Sequence, residues 1–86
     1  MGKMTGMENI DDIPQKVLLL YNAVGQMIAE NVDVNGLRVV NITDRAGIGK
    51  GTAYEYFDSK EDILSCAMVY GVRKIAQILR KMLEPG

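Results

Sequence analysis

The sequence predicts an all-α fold, a three-helix bundle followed by a long fourth helix. Three observations carry that prediction. Apolar residues return at spacings of three and four along residues 17–28 and again along 64–82, as on helices with one buried face. Between them, residues 42–64 read as a short helix, a glycine turn, a second short helix and the capped start of another. A chain of 86 residues with 48% apolar content suffices for one small domain with one modest core.

Taken in order, residues 1–11 are polar and are expected to form a flexible leader. The first helix is expected to open at Asp12, whose carboxylate caps it, with Pro14 in the first turn and Gln15 completing a capping box. Val17, Leu20, Tyr21, Val24, Met27 and Ile28 mark its inner face, and it should end near Asn31. Asp33–Gly36 is a turn in which Asn35-Gly36 suits positive φ. Leu37–Ala46 forms the second helix, with Val39, Ile42 and Ala46 inward, and Gly47 stops it in the left-handed conformation. Lys50–Phe57 forms the third, with Ala53 and Phe57 inward.

Asp58-Ser59 breaks that helix, and Ser59 followed by Asp62 is a variant capping box opening a fourth helix from Lys60 to about Leu83. Leu64, Ala67, Met68, Gly71, Ile75, Ile78, Leu79 and Met82 mark one face, and Glu84-Pro85-Gly86 is a helix stop. Beyond Val72 the apolar surface exceeds what three short helices can cover, so self-association or fraying of this end is expected.

Composition argues against several function classes. With no histidine and one cysteine, the chain lacks the means for a Cys/His metal cluster, a disulfide framework or a His-dependent triad. Cys66 lies within an apolar helical pattern and reads as a small buried hydrophobe, while a free thiol fits a reducing interior. Residues 1–12 have no apolar core of signal-peptide length, and no run approaches the ~18 apolar residues of a membrane span. Gly47–Thr52 looks superficially like a phosphate loop, but Asp44 and Gly51 stand where such a loop needs glycine and Ser/Thr. No βαβ unit surrounds it. Neither an enzyme activity nor a cofactor is expected.

Two short helices around a tight turn build a helix-turn-helix, whose second helix enters the DNA major groove. The net charge of −1 argues mildly against a polyanionic partner, yet its distribution is uneven. Glu8, Asp11 and Asp12 precede the motif, and residues 38–60 hold Arg38, Arg45, Lys50 and Lys60 against Asp44, Glu55 and Asp58. This is a weakly positive patch.

The segment closely resembles the DNA-binding domain of the TetR (tetracycline repressor) family. The residues that carry the resemblance are Ile42, Ala46, Gly47, Ile48, Gly51, Thr52, Tyr54, Tyr56, Phe57, Ser59, Lys60, Glu61, Ile63 and Leu64. They span about a quarter of the sequence in a specific order. The resemblance implies a homeodomain-like head at residues 12–59 and a connector helix at 60–86. It further implies a bacterial, cytoplasmic (nucleoid) repressor that binds palindromic double-stranded operator DNA as a homodimer. A small-molecule inducer would bind a larger domain that lies beyond these residues. Three departures stand out. Thr43 replaces a usual alanine, Gly49 replaces a capping serine, and Leu37-Arg38-Val39 replaces a threonine-rich start to the second helix.

Candidate DNA-binding residues are Arg38, Lys50, Gly51, Thr52, Tyr54, Tyr56 and Lys60. Gly49, Gly51 and Ala53 keep the recognition helix slim, so that its backbone can approach the groove. Lys50 and Thr52 occupy the end that this motif points at base edges. A lysine–guanine contact gives roughly 1–3 kcal/mol of discrimination. Tyr54 and Tyr56 offer hydroxyls to phosphates, Lys60 would act on a phosphate together with the free N–H groups of its helix's N-terminus, and Arg38 is a further phosphate candidate. A second reading, a small helical protein-interaction module, gains if Glu55 and Asp58 interrupt this face.

Overall fold

The computed structural model describes residues 3–84. Four α-helices carry the fold: α1 (Gln15–Ala29), α2 (Val39–Ala46), α3 (Lys50–Tyr56) and α4 (Lys60–Leu83). Short 3-10 turns, Ile10–Asp12 and Val34–Gly36, precede α1 and α2, and no strand occurs among the described residues. The fold is all-helical, as the sequence predicts.

α1 is the central beam. Val17, Leu20, Tyr21, Val24 and Met27 are buried along one stripe, against which α2, α3 and α4 all pack. They meet Val39 and Ile42 of α2, Ala53 of α3, Phe57 just after it, and Ile63, Cys66 and Ala67 of α4. Tyr21 stacks edge-on against Phe57 with centroids 6.1 Å apart, and its other side leans on Tyr70 at 5.0 Å. Ile28, expected inward, is 46% exposed.

Helix ends explain the boundaries. α1 does not open at Asp12: that residue closes a 3-10 turn whose cap is Asn9, and Pro14 precedes α1 with no side-chain cap. Proline fixes a helix-compatible φ without needing a cap for a missing N–H, so the start moves three residues on. α1 ends with Asn31 at φ 62, where Val32 N–H reaches Met27 C=O at 3.0 Å. Positive φ therefore falls on Asn31 and not on Asn35-Gly36, which Asp33 organises by accepting from Asn35 N–H. α2 begins at Val39, where Asn41 Oδ1 accepts from Arg38 N–H at 2.9 Å. This is the reciprocal half of a capping box, and the half a threonine hydroxyl would give has no side-chain counterpart at Arg38.

Gly47 (φ 77) stops α2 as expected, with Ile48 N–H bonded to Thr43 C=O and Gly47 N–H to Asp44 C=O. Ser59 Oγ accepts from Asp62 N–H at 3.2 Å, and α4 runs to Leu83. Glu84 has left the helix; the remainder of the expected stop, Pro85-Gly86, lies outside the described residues. The segment expected to be a loose leader is instead bonded to the domain from Lys3 onward, because Lys3, Met4 and Gly6 find partners on α3 and α4.

Candidate nucleic-acid interface

α3 has seven residues and buries very little of itself. Ala53 is fully buried, and Phe57, just past the helix, anchors the segment at 1% exposure. Everything else on α3 is partly or fully exposed. Lys50, Gly51, Tyr54 and Glu55 face solvent, and Thr52 and Tyr56 are half-buried along the flanks. A Cβ on Gly51 would meet nothing, so its surface is open to close approach. The helix starts from Gly49 with no side-chain cap, so its first N–H groups stay free of side-chain oxygen.

The other candidates frame this helix. Arg38 is exposed at the N-terminus of α2. Lys60 opens α4, but its ammonium folds back, 3.4 Å from the Asn35 carbonyl and 3.9 Å from Glu61, with the side chain 21% exposed. Thr43, the substituted alanine position, is buried and donates its hydroxyl to Val40 C=O, which satisfies it within α2. Arg45 does not add to the patch. Its guanidinium is bidentate to Glu30 at 2.6 and 2.8 Å, which lowers the carboxyl and raises the guanidinium from their ordinary values.

Two carboxylates bear on the electrostatics. Asp58 lies 3.7 Å from the Lys3 ammonium, a partner the sequence reading did not place there. Glu55, by contrast, is exposed on α3, two residues from buried Ala53 and so on the opposite side of the helix, one turn after Gly51. The exposed surface of α3 thus carries a negative charge near its C-terminal end and Lys50 at its start.

Residues 26–66 match the family model for bacterial regulatory proteins of the tetR family. The chain carries a TetR-family helix-turn-helix domain. The match runs from the last turn of α1 through the first turns of α4, so it takes in all of α2 and α3. No curated protein and no solved structure matches the chain. Within this TetR-family domain, the matched stretch holds each of Arg38, Lys50, Gly51, Thr52, Tyr54, Tyr56 and Lys60. Lys3 and Asn41, which the sequence reading passed over, shape the same surface: one reaches α3 across the fold, the other caps α2. The Asn41 signal, an amide three residues after a helix start, was available in the sequence.

Proposed function

We propose that this TetR-family domain binds double-stranded operator DNA through α3, as the recognition element of a transcriptional repressor. The observation that carries the reading is the exposure of Lys50, Gly51, Tyr54 and Glu55 on α3, with a side-chain-free step at Gly51. A helix that buries so little of itself is held out for a partner, and the major groove accepts one of this width. Lys50 and Thr52 would meet base edges. Tyr54, Tyr56, Arg38 and Lys60 would hold phosphates, Lys60 after turning its ammonium away from the Asn35 carbonyl. Glu55 suits a cytosine amino group, the one base-edge donor a carboxylate reads well.

The same reading takes the protein as a homodimer on a palindromic site in the bacterial cytoplasm, released by a small-molecule inducer held elsewhere in the protein. A single head lacks the avidity of two linked ones, so binding should be weak, in the range of about 10⁻⁴–10⁻⁶ M. An amide-shift titration with mixed-sequence duplex, at low and then raised salt, tests it. Shifts confined to residues 38–60 that fade with salt are expected. Their absence at low salt would remove the DNA reading.

The competing reading, a helical module that docks a protein, draws on two observations: the negative charge of Glu55 on the exposed surface of α3, and an apolar groove. Met68, Val72 and Ile75 of α4, with Tyr21, Gly25 and Ile28 of α1, line an open apolar groove of about 660 Å³. Shifts confined to that groove with duplex absent and a protein partner present would favour it.

A further inference from the structure

We propose that residues Lys3–Gly6 are a positioning strap that fixes the C-terminal end of the recognition helix and ties it to α4. The inference rests on the reading of α3 as that helix. α3 ends abruptly: Phe57 is extended (φ −136, ψ 145), so the carbonyls of Tyr54 and Tyr56 have no helical partner. The strap supplies both. The Lys3 ammonium donates to Tyr54 C=O, and Met4 N–H donates to Tyr56 C=O at 2.9 Å. Lys3 also faces Asp58 at 3.7 Å and places a positive charge at a helix C-terminus, where the peptide dipoles favour it.

The other side of the strap is bolted to α4. The Cys66 thiol donates to Met4 C=O at 3.6 Å, and Arg73 Nη1 donates to Gly6 C=O at 2.7 Å. Burial raises the Cys66 thiol above its ordinary pKa, with the charges of Glu8 and Asp62 adding to it, so the proton this bond needs is retained. Gly6 is buried at φ 88, and a Cβ there would sit 3.2 Å from Val69 Cβ and 3.3 Å from the Cys66 Cα. Only glycine fits the left-handed bend at that distance. Glu8 holds the bend by accepting from Thr5 N–H at 2.8 Å, Thr5 Oγ at 3.0 Å and Gly6 N–H at 3.0 Å. α3 itself packs chiefly on α1 and α2, so the strap gives it a second mooring, on α4.

The test uses the full chain, Lys3→Met, Lys3→Arg and a chain lacking residues 1–6. Amide exchange along α3 is read without DNA, and binding to a mixed-sequence duplex is read across salt. Loss of the strap should speed exchange in α3 about tenfold, the scale of one or two net hydrogen bonds, and leave α1 and α2 unchanged. Lys3→Met should show part of the effect and Lys3→Arg little of it. Duplex affinity should fall with the loosening of α3.

Unchanged α3 exchange in the shortened chain would overturn the proposal, as would equal acceleration in every helix. So would a Lys3→Met variant that only lowers the salt slope by about one, which would make Lys3 a simple phosphate contact. If α3 loosens but even the intact chain ignores duplex, the strap stands and the DNA reading fails.

Discussion

The two halves of α4 differ more than any other pair of regions. Its first half buries Ile63, Cys66 and Ala67 against α1 and Phe57, and Tyr70 closes over Tyr21. Its second half leaves Val72, Ile75, Ile78, Leu79, Met82 and Leu83 from 49% to 83% exposed. The apolar spacing is the same in both halves; the difference is cover, since Val72 and Ile75 face α1 only across an open groove and the residues beyond them outrun that helix. At ~1.5 Å per residue, α4 with its 24 residues extends well past α1 with its 15. An amphipathic stripe becomes core only where a partner helix runs alongside it.

The sharpest way to break that comparison is a matched pair of truncations. Ile63→Ala should cost about 2–5 kcal/mol by denaturant unfolding, because a fully buried side chain leaves a cavity behind. Leu79→Ala, half-exposed, should stay within about 0.5 kcal/mol. Equal costs would mean that the distal half is covered in solution. Ser59→Ala removes the cap on the proximal end and should cost about 1 kcal/mol in the same measurement.

Native-state amide exchange sharpens the contrast without mutation. Residues 63–70 should be protected at least about tenfold more than residues 75–83 in dilute solution. At high concentration the distal face should drive association in sedimentation, and Ile75→Glu should suppress it. A monomeric chain with uniform protection along α4 would contradict both expectations.

The smallest effect concerns pH at the strap over the proximal half. Burial pushes the Glu8 carboxyl up, but hydrogen bonds from Thr5 and Gly6 outweigh it and leave the carboxyl below its ordinary 4.5. A depressed carboxyl stabilises the fold fully above its unfolded value and loses that contribution as pH falls through the folded one. Stability should therefore decline slightly below about pH 4.5. Glu8→Gln should flatten the decline in a pH series of thermal melts.

Much of the domain was legible because its decisive signals act within one helical turn. Gly47 stops α2, Ser59 starts α4, and Ala53 with Phe57 fixes which side of α3 faces inward, all from neighbours a few residues away. The missed boundaries were also local, where two nearby signals competed. Asp12 resembled a cap, yet Asn9 and Pro14 decided the start of α1. Asn35-Gly36 resembled a left-handed turn, yet the left-handed residue was Asn31, at the end of α1. The candidate DNA-facing residues were named from order alone, but their surroundings were not. Lys60 lies folded against Asn35, and Tyr56 is partly packed on the core.

By itself, then, the sequence determined the helices, their inner faces and the helix-turn-helix, because caps, turns and periodicity are short-range properties of the chain. Only the tertiary structure decided that Lys3 meets Tyr54 and Asp58, that Arg73 holds Gly6, and that Glu30 neutralises Arg45. Those pairings lie up to 67 residues apart, as between Gly6 and Arg73. No local propensity encodes them; they exist only once α1 has gathered the other helices around its buried face.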